Sequence, residues 1–183
     1  MKKIISTVLF VCIMLSFVAC GPTMTPEEVL ESNKQAFADF KADWNSQEVL
    51  AVNARVETDA NGDRMLKTDV INNSDSAISV IVVCFAIWDT EGNFMPVQTR
   101  KHPDNTIPEF QMDLTDVTVA AGETWSDNLG VFLSEGCPEI GHVEAAIVSY
   151  NVGSTEQSVS LYETWKLTFL NQHLEDWMKE SND

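Results

Sequence analysis

Hydrophobic positions along this chain change period twice. In "TPEEVLESNKQAFADFKADW", Leu30, Phe37, Phe40 and Trp44 recur at helical spacing and form one narrow stripe, which predicts an amphipathic helix over 27–45. Thr25 is a suitable N-cap, Pro26 suits the first helical position and Glu28 completes a capping box. Glu27, Glu28 and Glu31 lie at the positive end of the helix dipole. From Val49 the period becomes two. "VLAVNARVET" alternates, "DANGD" supplies an Asn-Gly hairpin signal, and "RMLKTDVIN" alternates again. After "NNSDS" comes the most apolar run, Ala77 to Trp88, ended by the turn "DTEGN". Such a run predicts a central strand buried on both faces: Val80, Val82, Cys84, Ala86 and Trp88 on one, Ile81, Val83, Phe85 and Ile87 on the other.

A brief strand near Phe94–Val97 follows, then a long connection, 98–113. Strands resume at "LTDVTV", "TWSDNLGVFL" and "HVEAAIVSYNV", separated by "AAGE" and "SEGCPEIG". About seven strands divided by turn signals predict an all-β, immunoglobulin-like antiparallel sandwich over 49–152. The segment 153–183 is open to two readings. "LYETWKLTFLNQHLEDWMKE" places Leu167, Leu170, Leu174 and Trp177 on one helical face, while "ETWKLTF" also alternates like a strand.

Residues 70–93, "VINNSDSAISVIVVCFAIWDTEGN", resemble the FxLYD-domain family of bacterial extracytoplasmic proteins. Asn72 and Ser74 stand at the turn, Phe85-Ala86-Ile87-Trp88-Asp89 stands in place of F-x-L-Y-D, and Gly92 follows. "AAGETW" at 120–125 and "VEAAIVSYNV" at 143–152 extend the likeness across 49–152. The resemblance implies an immunoglobulin-like sandwich and a structural role for Asn72, Phe85, Ile87, Trp88, Asp89 and Gly92. It implies no catalytic residues. In its light Asp89 reads as a turn-former whose carboxylate accepts turn amides, and Gly92 as the residue supplying a positive φ.

The N-terminus adds an address. A basic "MKK", a 15-residue apolar run and "FVAC" make residues 1–19 a lipoprotein signal peptide, with Cys20 the lipidated residue and 20–26 a spacer. The run is too short for a typical membrane-spanning helix. Ordinary secretion with cleavage after Ala19 is the competing reading, and it is disfavoured because Phe17 is not small. Lipid on Cys20 would hold the chain at the cell membrane on its extracytoplasmic face. Without residues 1–19 the chain has 164 residues, and 9 basic against 28 acidic residues give a net charge of −19. That field disfavours nucleic acid, anionic headgroups and acidic wall polymers as partners.

Candidate chemistry is sparse. Cys84 and Cys137 could form a disulfide in an extracytoplasmic setting. "DANGD" begins like a calcium loop, but Arg64 and Val70 stand where a Gly and a Glu are needed, so no metal is expected. The histidines, His102, His142 and His173, are scattered, and no Gly-x-Ser-x-Gly elbow, phosphate loop or cofactor motif is present. The remaining candidate is the connection 98–113, which carries Arg100, Lys101, His102 and Phe110 within an acidic chain. The expected function is a non-catalytic binding or structural module of the cell envelope, with an envelope protein or polymer as partner. A sensor or solute-binding lipoprotein using that connection is the alternative, and an enzyme ranks third.

Overall fold

The two turns "DANGD" and "DTEGN" share a pattern, Asp first and Gly fourth, and they fold alike. The computed structural model describes residues 24–47 and 49–178. In each turn the first Asp uses one carboxylate oxygen to accept two backbone N–H groups. Asp59 Oδ1 accepts from Asn61 (2.8 Å) and Asp63 (2.9 Å), and Asp89 Oδ1 accepts from Glu91 (2.9 Å) and Asn93 (2.8 Å). Gly62 and Gly92 both adopt φ +86°, a left-handed conformation that a Cβ disfavours. The first turn joins β1 (Leu50–Thr58) to β2 (Arg64–Asn72). The second joins β3 (Ile78–Trp88) to β4 (Phe94–Met95).

The remaining strands are β5 (Phe110–Val119), β6 (Thr124–Ser126), β7 (Val131–Phe132), β8 (His142–Val152) and β9 (Thr155–Ser158). They form two antiparallel sheets. The first has the order β1-β2-β6, with β7 also paired to β2. The second has the order β4-β3-β8-β9, with β5 also paired to β3. This is an all-β sandwich of the immunoglobulin type, with two short strands beyond the expected seven. Leu66 and Val70 of the first sheet meet Ile81, Val83, Phe85, Ile87 and Ile147 of the second, all fully buried. Each such side chain contributes about 1.5–3 kcal/mol through removal from water.

The central strand departs from strict alternation. Val80 has φ +48° and is 38% exposed, and the pairing with β5 shifts between Ser79 and Ile81. This bulge resets the parity of the strand, so Ile78 and Ile81, three residues apart, both reach the core. The sequence reading had put Val80 on a buried face. Beyond the bulge the expected faces hold. Ile81, Val83, Phe85 and Ile87 enter the inter-sheet core, while Cys84, Ala86 and Trp88 face outward and are still fully buried; Val82, expected on that buried outward face, is only half-buried, next to a register shift against β8.

The C-terminal segment buries that outward face. Helix α2 (Tyr162–Phe169) lays Tyr162, Trp165 and Phe169 against the second sheet. Trp88 meets Phe169 edge-on at 5.9 Å between centroids, and its indole N–H donates to Gln172 O at 2.8 Å. Leu174 is buried and its N–H donates to Gly92 O at 2.8 Å. A Cβ on Gly92 would lie 2.6 Å from Leu174 O, a second reason for glycine there. The expected apolar face fails at Leu167, which is 74% exposed. The aromatic positions won because the sheet presents Trp88 as their partner. A 3₁₀ turn, Asp176–Met178, follows.

The N-terminal helix, α1 (Pro26–Gln47), has the expected capping box. Thr25 N–H donates to Glu28 Oε2 (2.7 Å), and Glu28 N–H donates to Thr25 Oγ1 (3.2 Å). Phe37 and Phe40 pack together at 6.2 Å, Leu30 is exposed and Trp44 is buried. No helix among the described residues is long and apolar enough to cross a membrane. The expected signal peptide 1–19 and Cys20 lie outside the described residues.

Candidate functional site

One end of the sandwich gathers the β1–β2 turn, the β3–β4 turn, the connection 96–109 and the segment 133–141. Two arginines tie these together. Arg64, which opens β2, donates to the carbonyls of Pro138 (2.9 Å) and Cys137. Arg100 pairs with Asp63 of the β1–β2 turn and lies 4.7 Å from the Phe132 ring centroid, on β7. Thr99 forms an isolated bridge with Leu133, and Arg100 N–H donates to Phe132 O (3.0 Å). Gly141 closes on the β3–β4 turn: its N–H donates to Trp88 O (2.8 Å), and a Cβ would sit 2.6 Å from Asp89 O.

Within the connection, Asn105 is the central pin. Its Nδ2 donates to Val97 O (2.9 Å) and Ile107 O (3.2 Å), and its Oδ1 accepts from Ile107 N–H (3.0 Å). Thr99 Oγ1 accepts from His102 N–H at 3.1 Å. The result is an ordered loop that exposes Lys101, His102 and Asp104, with Ile107 at 63% exposure. Arg100 is exposed but engaged. Phe110 leaves this group, because residues 110–113 belong to β5 rather than to the connection. Its ring lies 6.2 Å from Phe85 and packs against the core, since its register partner on β3 is Phe85.

The turn carboxylates are occupied. Hydrogen bonds from the Asn93 side chain and backbone hold Asp89 below the ordinary carboxylate range, and the Asp63 and Asn61 amides do the same for Asp59. Among the described residues no group of three or more His, Cys, Asp or Glu is placed to hold a metal ion. Because the folded-state value of Asp89 lies below the usual one near 4, the ionised turn is stabilising above about pH 4. That contribution is lost as pH falls through the lowered folded-state value. An Asp89→Asn variant should therefore lose stability less steeply than the parent between pH 5 and pH 2, read by urea unfolding at each pH. Equal slopes would overturn the assignment.

The two cysteines are free and buried. Cys84 faces α2 beside Tyr162, whereas Cys137 sits in the inter-sheet core, so the second sheet separates them and no bridge forms. Burial pushes the Cys84 thiol up to about 11 and raises the Cys137 thiol. Tyr162 Oη donates to Glu109 Oε1 (2.7 Å), and Lys166 pairs with Glu163 (3.0 Å) and reaches Glu109 (3.8 Å). Burial, with help from Cys84, raises the Tyr162 phenol. His142 pairs with Glu144 (3.0 Å) beside Trp88, and His173 stands against Gly92.

The family-motif residues are brought together as scaffold. Asn72 is fully buried between the sheets' ends, Phe85 and Ile87 enter the core, and Trp88, Asp89 and Gly92 hold the C-terminal segment. Sequence reasoning missed Arg64, Asn105 and Phe132. Asn105 carried a local signal, an Asx residue two before Ile107 in a proline-flanked loop, whereas Arg64 and Phe132 carried none.

No curated protein matches the chain. A solved structure of a hypothetical protein from Peptoclostridium difficile 630 superposes with a TM-score of 0.55 at 11% identity, covering 70% of this chain and 95% of that one. That likeness is one of fold. Residues 65–182, from β2 to the C-terminal segment, match the model of a family of unknown function, DUF5780, and the chain belongs to that family.

Proposed function

We propose that this chain is a lipid-anchored, extracytoplasmic, non-catalytic binding module of the cell envelope that meets its partner through the loop end of the sandwich. The observation that carries this reading is the pinned loop. Asn105, Thr99 and the Arg100–Asp63 pair hold it in one conformation while Lys101, His102 and Ile107 remain exposed. A loop that is rigid before it binds loses little entropy on binding, which suits recognition. The anchor rests on the sequence pattern ending at Cys20, and the binding-module class agrees with the FxLYD-like run at 85–89.

Two variants in the native membrane test the reading. Cys20→Ala should end acylation and move the protein into the soluble fraction, and continued membrane partition would overturn the anchor. The triple variant Lys101→Ala, His102→Ala, Ile107→Ser should keep its unfolding midpoint and lose at least about tenfold in cross-linking to its envelope neighbour. Unchanged cross-linking would overturn the loop as the contact surface.

A further inference from the structure

At the sandwich seam the two sheets leave an opening. The N-terminal end of β1 belongs to the first sheet, while β9 is the last strand of the second. Between them lies a cleft of about 120 Å³ lined by Val49, Leu50, Tyr150 and the run Ser158, Val159, Ser160 and Leu161. For scale, a cavity of about 150 Å³ admits benzene, so this cleft takes one aliphatic side chain.

The strand beside the cleft has an open edge. β9 pairs only with β8 among the described strands, and all four of its residues are exposed. Val159 N–H donates to Val148 O, so it points toward β8. Antiparallel alternation then turns the N–H and C=O groups of Glu156 and Ser158 away from β8. A strand added to that edge would continue the second sheet across the seam. Its inward side chains would project toward the cleft, because the inner face of the second sheet there carries Tyr150 and Val159. Backbone pairing supplies affinity and the pocket supplies selectivity, the two components of recognition by strand addition.

We propose that the β9 edge and the adjoining cleft bind an extended segment of a partner protein by strand addition, with one aliphatic side chain in the cleft and basic residues on either side. The basic character follows from charge. Beyond Lys41 the chain has 7 basic and 24 acidic residues, and Glu156 lies exposed on the edge strand itself. A second copy of this chain would bring like charge to the same edge. The proposal rests on the binding-module reading but uses a different surface from the pinned loop.

The test uses the full chain in detergent and fluorescein-labelled peptides read by anisotropy. The probe is Lys-Thr-Lys-Leu-Lys-Thr-Lys, which as a strand places Thr-Leu-Thr on one face and lysines on the other. It should bind, and two controls should bind at least about tenfold more weakly: the peptide with Asp for Leu, and the peptide with Glu for every Lys. Ser158→Pro deletes an outward-facing N–H at an edge where proline is tolerated, and Ser160→Trp fills the cleft mouth from an exposed position. Each should weaken the first peptide about tenfold with an unchanged unfolding midpoint. If Ser158→Pro fails to fold, Ser160→Trp carries the test. No binding of the first peptide at about 1 mM, equal binding of the Asp peptide, or unchanged affinity in a folded cleft variant would overturn the proposal. The triple loop variant should retain the peptide, so failure of the loop reading and failure of this one are separable.

Discussion

Replacing Trp88 by alanine is expected to cost about 5 kcal/mol, the upper end for a buried aromatic. Three losses combine. The side chain is fully buried on the outward face of β3, so its removal leaves a large void under α2. Its ring partners, Phe94 at 6.0 Å and Phe169 at 5.9 Å, both edge-on, lose favourable aromatic geometry. Its indole N–H no longer satisfies Gln172 O, a bond worth about 1 kcal/mol. Against a typical domain stability of about 5–15 kcal/mol, such a loss removes much of the folded population. Trp88→Phe keeps most of the volume and should cost about 2 kcal/mol. Urea unfolding of the parent and both variants measures the two values. A Trp88→Ala cost below about 2 kcal/mol would show that α2 and the segment 170–174 after it contribute little to the folded state.

Asn72→Ala is expected to cost about 4 kcal/mol, for a different reason. Its Nδ2 is shared among the carbonyls of Ser76 (2.8 Å), Val119 (3.0 Å) and Ala120 (3.1 Å). Its Oδ1 accepts from Ser74 N–H (3.0 Å) and Ser74 Oγ–H (2.6 Å). One fully buried amide thus joins the end of β2, the β2–β3 turn and the end of β5. Alanine removes the buried bond to Val119 O and takes the acceptor from Ser74 N–H, at about 1–3 kcal/mol for each buried group, while Ser76 O keeps Ser74 Oγ–H and Ala120 O keeps Glu123 N–H as donors. Asn72→Asp should be at least as damaging at pH 7, because a carboxylate would face three carbonyl oxygens. Lowering the pH toward 4 should narrow its deficit relative to the parent, since protonation restores a donor. The same unfolding titration at both pH values checks this. A deficit that does not narrow with acid would show that Asn72 acts by shape rather than by donating.

The features legible in the sequence are those whose cause is local. The Thr25–Glu28 capping box needs only four consecutive residues, and the two Asp-x-x-Gly turns need five. Both formed as their residue types require. The faces of β3 were readable from Ile81 onward, yet the bulge at Val80 was not. No residue type marks it, because it arises from fitting β3 to β5 and β8 at once. For the candidate site, Arg100, Lys101 and His102 were recognisable as unusual in an acidic chain. Phe110 was misplaced because the boundary of β5 is set by pairing with β3 rather than by the composition of "PEFQMD". The bridge left open between Cys84 and Cys137 was a question of which side of a sheet each thiol takes.

By itself, the sequence determined the N-terminal helix and its cap, the turns, the alternation of most strands, the excess of acid and the sandwich class, all of which follow from backbone stereochemistry and the period of apolar positions over a few residues. The tertiary structure alone decided the pairing of Arg100 with Asp63, the reach of Arg64 to the 137–138 carbonyls, the choice of aromatic over aliphatic residues as the buried face of α2, and the seam beside β9. These depend on groups tens of residues apart in sequence. Their proximity is a property of how two sheets and a helix close on one another, and no local preference encodes it.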